Sequence, residues 1–191
     1  MKIPVLIGAL SVTLSLASGA VLAEAAQDPK IAEAKAIVKE FATRLQGELQ
    51  SALRAGGPVA AIEICQNEAP AIAEDLSQGS EWQVARTSLK TRNPNNAPDP
   101  WETEILEQFD ARQAAGEDVL PMAHAEVVET ADGKRFRFMK AIPTQELCLT
   151  CHGRDIDTQV IEALDEAYPQ DQARGFTMGQ VRGAFTLSKP L

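Results

Sequence analysis

Cysteine and histidine are scarce in this 191-residue sequence, with three of the first and two of the second. That scarcity excludes a multi-cysteine zinc or iron–sulfur cluster site and a disulfide-rich scaffold. Basic residues are outnumbered as well, 18 against 27 acidic, for a formal net charge of −9. A surface this acidic repels phosphate backbones and anionic lipid headgroups, which disfavours nucleic acid and charged membranes as partners. No internal repeat is present, and 12 glycines and 11 prolines are too few for a low-complexity chain. What is there is a globular composition, 45% apolar and 24% charged, in a length that suits one domain.

A single long hydrophobic run stands at the start. Met1-Lys2 gives a small positive charge, an apolar stretch covers Ile3 to Ala20, and Val21-Leu22-Ala23 offers small residues where a signal peptidase reads. This pattern predicts a secretory signal peptide over residues 1–23, cleaved after Ala23, and one domain over 24–191. An uncleaved membrane anchor is the alternative, because the run approaches spanning length. After cleavage no membrane association is expected. The predicted compartment is oxidising and extracytoplasmic, a bacterial periplasm.

Beyond the signal, Ile31, Ala34, Val38, Phe41, Leu45, Leu49 and Leu53 recur at three- and four-residue steps, the stripe of a long helix. Gly56-Gly57 ends it. Pro58 opens a second helix with Val59, Ile62, Cys65 and Ala69 on one stripe, which Pro70 breaks or restarts. Trp82 to Leu89 reads as a strand. Asp99, Pro100 and Glu102 form the start of a third helix with a capping box, and Trp101, Ile105 and Phe109 mark its buried face. Ala123 to Glu129 and Arg135 to Ala141 flank Asp132-Gly133, a hairpin signal. A short helix is expected near Thr158 to Ala167 and a last strand over Val181 to Leu187. The fold class is α+β: an antiparallel sheet of three to five strands flanked by helices, with a long N-terminal helix that covers or extends from the sheet.

Cys148-Leu149-Thr150-Cys151-His152 carries the chemistry. Two thiols three residues apart match the two vinyl groups of one porphyrin, and the next histidine is then held beneath the iron. The rival readings are a redox-active C-x-x-C and half a zinc site. No βαβ context supports the first, and no second Cys/His pair completes the second. One covalent haem c is therefore expected, in a cavity bounded by Cys148, Cys151 and His152. With His152 as one axial ligand, the candidates for the other are Cys65, His124, Met122, Met139 and Met178, or no residue at all. A free Cys65 in an oxidising compartment is a liability, although a lone cysteine on a helix stripe also serves as a small buried hydrophobe.

Taken together, these residues resemble a family of single-haem, c-type extracytoplasmic proteins with a PAS-like fold, formerly a domain of unknown function. The resemblance rests on Ala61-Ile62-Glu63-Ile64-Cys65 with Ala69-Pro70, on Arg86 through Asn96, on Trp101-Glu102, and on Cys148 to Gly153. Tyr168 through Phe176 and Arg182-Gly183-Ala184 complete it. Phe176 stands where an aromatic, often Tyr, is expected, and Gln180 stands where an acid is common. The resemblance implies that Cys65 is the second axial ligand, so that His152 and Cys65 are the metal ligands. It also implies kinship with sensor input modules in stand-alone form. Arg86, Lys90, Arg92, Arg135, Arg137 and Arg182 are candidate partners for haem propionates, because an arginine fork suits a carboxylate. Arg86 and Arg92, flanking the family-like loop, come first.

These features predict a non-catalytic haem protein that senses redox state or a small diatomic ligand. In that reading Cys65 is a thiolate ligand that leaves on reduction and opens the iron. A periplasmic electron carrier, steered to a redox partner by its acidic surface, is the alternative. A haem peroxidase ranks last, since His124 is the one histidine left to act as acid or base.

Overall fold

The computed structural model describes residues 28–191, so the expected signal segment 1–23 lies outside the described residues. The chain begins with the long helix α1, Pro29–Glu63. Asp28 caps it by accepting from the Lys30 N–H, and Pro29 occupies the first turn, where a missing donor costs nothing. Its apolar stripe buries Ala34, Val38 and Phe41; farther along, Leu45, Leu49 and Leu53 are only half-buried. Gly57 breaks the helical path at φ 72°, ψ −168°, a conformation essentially confined to glycine, and Pro58 follows with no N–H to carry the ladder. The two helices expected on either side of Gly56-Gly57 therefore meet end to end at a kink, with Pro58 opening the second.

A π-helical turn, Ile64–Glu68, comes next, closed by the Ala69 N–H on the Ile64 carbonyl, and α2 spans Ala69–Gln78. The wide turn sits just ahead of Pro70, whose ring would otherwise press on the Gln66 carbonyl in a regular helix. Val59 is 45% exposed while Ile62 and Ala69 are buried. The stripe expected over Val59, Ile62 and Ala69 therefore loses its first member, because the bend at Gly57 turns the opening of this segment outward.

Four strands build one fully antiparallel sheet in the order β1-β4-β3-β2: β1 Gln83–Thr87, β2 Ala123–Thr130, β3 Gly133–Pro143 and β4 Val181–Pro190. Alternation gives the sheet two apolar faces. Val84, Phe136, Phe138, Phe185 and Leu187 pack against Ala34, Val38 and Phe41 of α1 and Ile72 and Leu76 of α2. On the other face Met139, Ala141 and Ala184 meet Ile105, Leu106 and Phe109 of α3, Pro100–Ala114. The capping box at Asp99 and Glu102 is present with both of its hydrogen bonds. The hairpin turns one residue earlier than Asp132-Gly133 suggests. Thr130 pairs with Gly133, Ala131 and Asp132 form the corner, and only Gly133 has positive φ. A type I′ turn needs two positive-φ residues, so the corner is the other common kind, closed by a glycine at the bulge position.

A third, smaller core joins Ile62 of α1 to Val160, Leu164 and Tyr168 on and after α5, Thr158–Ala167, with Cys151 packed beside them. It anchors the short helix α4, Glu146–His152, next to the bend-and-wide-turn segment. No helix among the described residues is long and apolar enough to cross a membrane.

Candidate functional site

The whole Cys148-x-x-Cys151-His152 motif lies in α4. One helical turn separates the two sulfurs, and His152 ends the helix. Gly153 terminates it with its N–H on the Leu149 carbonyl, and a Cβ added there would sit 2.5 Å from that same oxygen. The residue after the histidine must therefore be glycine if the chain is to turn away this closely.

A single loop, residues 171–176, clasps the end of α4. The Phe176 N–H donates to the His152 carbonyl and the Gly175 N–H to the Gly153 carbonyl, each at 2.9 Å. His152 Nδ1 lies 2.7 Å from the Ala173 carbonyl oxygen. Burial, with the charges of Arg182 and Arg92, holds the imidazole well below its ordinary pKa, so the ring is neutral near pH 7. A carbonyl can only accept; Nδ1 must therefore carry the proton, and the lone pair resides on Nε2. Metal-binding histidines are oriented in this way by a partner on the other nitrogen. The Phe176 ring meets the imidazole edge-on, with centroids 6.3 Å apart.

The clasp is itself locked by Arg92, which is buried. Its Nε donates to Asp171 Oδ1 at 3.1 Å, and one Nη donates to the Cys151 carbonyl at 2.5 Å and the Ala173 carbonyl at 3.3 Å. Asp171 also accepts from the Ala173 N–H and from Arg174 Nε. Burial alone would raise the Asp171 carboxyl, but these hydrogen bonds outweigh it and hold the group below its ordinary value. Nothing in the sequence assigns Asp171 a role; its partners lie 79 residues away at Arg92 and only three away at Arg174.

Cys65, in the wide turn, comes within electrostatic reach of Cys151, Tyr168 and Arg86. Burial pushes the Cys151 thiol up, with Cys65 adding to the effect and Arg92 opposing it. Burial likewise pushes the Tyr168 hydroxyl up to about 12. All three cysteines are half-buried free thiols. The other ligand candidates are elsewhere. Met122 and Met139 are core residues under α3, and Met178 is 60% exposed. His124 leans on Trp101 and Glu126 at the edge strand β2.

The arginines divide in the same way. Arg135 is held by Gln83 and Ser188, and Arg137 by Asp99 and Glu102 while stacked 4.1 Å over Trp101. Arg92 is engaged in the clasp. Arg86 and Arg182 form no ion pair with a carboxylate; among the described residues arginine ion pairs involve Arg44, Arg92, Arg112, Arg137 and Arg174. Burial lowers the Arg86 guanidinium, with Cys65 and Tyr168 pulling the other way. Burial and the neighbouring Arg92 and Arg86 charges lower Arg182 to about 10. The Nε of Arg182 is buried with no partner. Two half-buried cations without counter-charges, one with an orphaned donor, suit a ligand with carboxylates.

The donor set therefore fits haem c. There are two thiols one turn apart for the vinyl groups, an imidazole with a free Nε2, a third sulfur nearby, and cationic forks for the propionates. Two clefts stand out elsewhere, of about 270 and 420 Å³, and neither is lined by Cys148, Cys151 or His152.

Comparison with known proteins adds the lineage. A family model described as Tll0287-like matches residues 23–190. The crystal structure of the cyanobacterial heme-protein Tll0287 is similar at 22% identity and a TM-score of 0.66, over 86% of this chain and 97% of that one. At this identity the likeness speaks to the fold alone. No curated protein matches.

Proposed function

Because the chain belongs to the Tll0287-like family, we propose that it is a single-haem c-type protein of the periplasm, with a PAS-like domain that senses redox state or a small ligand. The observation that carries this reading is the clasp on His152. A histidine whose Nδ1–H is fixed by the Ala173 carbonyl, at the end of a helix bearing two thiols at the attachment spacing, is built to present Nε2 to a metal. Haem, when bound, supplies one-electron chemistry. The chain's own residues attach it through Cys148 and Cys151, orient it through His152 and Cys65, and neutralise its propionates through Arg86 and Arg182.

Protein made with its export signal and haem-maturation machinery is expected to carry one haem that resists acid–acetone extraction, with an intact mass of chain plus one haem. Extractable haem defeats the reading. Replacing Cys65 with Ala is expected to change the ferric absorption spectrum and raise the reduction potential, since an anionic sulfur favours the ferric state. An unchanged spectrum and potential would reduce Cys65 to a packing residue. The second reading, electron transfer, is favoured by the net charge of −9. It is preferred if Cys65 stays bound in the reduced protein and carbon monoxide does not compete with it.

A further inference from the structure

The smaller cleft adjoins the clasp through Phe176, but none of Cys65, Arg86, Cys148, Cys151, His152 and Arg182 lines it. It opens between the segment after β1, the middle of α3 and the loop before β4. Its lining includes Lys90, Leu106, Asp110, Gln113, Phe176 and Val181. Leu106, Asp110 and Gln113 follow one another at four- and three-residue steps, so they form a single stripe of α3 along one wall. Leu106, Phe176 and Val181 are buried and make an apolar floor.

Charge is arranged across this floor. Lys90 Nζ hangs 5.3 Å over the Phe176 ring, and Asp110 stands within its electrostatic reach. Yet the two do not pair, and neither Lys90 Nζ nor the Asp110 carboxylate has an ion-pair or hydrogen-bond partner among the described residues. Of the neighbouring polar groups, Ser88 Oγ bonds Lys90 and Arg182 backbone groups and Gln180 Oε1 accepts from the Thr177 N–H, while the Gln113 amide is a further open partner and Arg182 lies 5.2 Å over the Phe176 ring. An unpaired lysine and an unpaired carboxylate thus line the same cleft beside Leu106, Phe176 and Val181.

We propose that this cleft binds a small zwitterion, an α-amino acid or a close analogue, with its carboxylate on Lys90, its ammonium on Asp110 and its side chain on Leu106, Phe176 and Val181. The volume of about 270 Å³ suits a compound of that size and is smaller than typical drug-sized pockets. A simple anion would leave Asp110 opposing it, and a simple amine would leave Lys90 doing so. Only a molecule with both charges satisfies both groups.

The test is calorimetry on the haem-loaded protein with the standard L-amino acids. For the tightest binder, the matched carboxylic acid lacking the amine and the matched amine lacking the carboxylate are titrated as well. At least one amino acid is expected to bind in the millimolar range or tighter, and each one-charge fragment is expected to bind at least about tenfold more weakly, as for loss of one charge-assisted hydrogen bond. Lys90→Ala and Asp110→Asn are each expected to weaken binding by about the same factor. Both positions are exposed, so folding is not at stake, and far-ultraviolet circular dichroism checks it. The proposal is overturned if no amino acid binds, if both variants bind as the parent does, or if only Lys90→Ala weakens binding and the plain acid binds as well. Heat of binding is read whether or not haem is attached, so failure of the haem reading and failure of this one are told apart.

Discussion

At the Asp171 carboxylate three stretches of chain meet: the Arg92 loop, the clasp that ends at Phe176, and, through Arg92, the Cys151 carbonyl of α4. Removing one member of a buried pair leaves the other uncompensated, so Asp171→Ala is expected to cost about 3–5 kcal/mol in a urea melt. The same group sets an acid limit. Its folded pKa lies below the ordinary value. Its contribution is therefore complete above the unfolded carboxyl pKa, near 3.9, and is lost as pH falls through the folded value. Urea midpoints measured from pH 6 down to 3 are expected to drop more steeply in the parent than in Asp171→Asn, which has no carboxylate to titrate. A second residue-scale constraint is Gly183, at φ 154°, where an added Cβ would overlap the Thr87 carbonyl oxygen. That oxygen belongs to backbone and cannot swing aside. Gly183→Ala is expected to part the ends of β1 and β4 and to lower stability by about 2 kcal/mol or more, with faster amide exchange at Thr87 and Ser88 as the specific sign.

Among the elements, the bent α1 and the wide turn that follows decide where Cys65 stands. Gly57 occupies a region of backbone space open essentially to glycine alone, so Gly57→Ala is expected to cost about 1–3 kcal/mol and, in the haem-loaded protein, to perturb the ferric spectrum through Cys65. A structural glycine with no bearing on Cys65 would change stability only. The elements also show how far the sequence could be read. The helix start at Pro100, the long helix carrying the stripe from Ile31 and the strand pairing around the hairpin were legible, because caps, periodicity and alternation are local signals; the helix Glu146–His152 is too short to show a stripe of its own. Ser/Thr/Asp caps act within three residues, and strand alternation needs only a few. The wide turn at Ile64–Glu68 was not legible, because one stripe through Ile62, Cys65 and Ala69 treats the segment as a regular helix; Val59 is exposed for a separate reason, the bend at Gly57. Asp171 was invisible as a site residue for a different reason, since its meaning depends on a loop 79 residues earlier in the chain. Arg182 ranked behind Arg92 in the sequence because no local pattern tells an arginine already engaged by carbonyls from one left without a carboxylate.

For the molecule as a whole, the charge of −9 bears on encounters more than on folding. If a cationic redox protein exchanges electrons with it, the rate is expected to fall steeply as salt is raised from 0.01 to 0.5 M, over which the screening length shrinks from about 30 Å to a few Å. A neutral small-molecule mediator is expected to show little change, and stopped-flow reduction by the two kinds of donor separates these outcomes. Strand order has a consequence of another sort. The strand that sits between β1 and β3, and so completes both sheet faces, is β4, Val181–Pro190. β1 has no other neighbour in the sheet, and Phe185 and Leu187 carry the β4 contacts to α1. β4 is thus a keystone: loosening it detaches β1 and uncovers the apolar stripe of α1 in one event, so its amides are expected to exchange only when the whole fold opens.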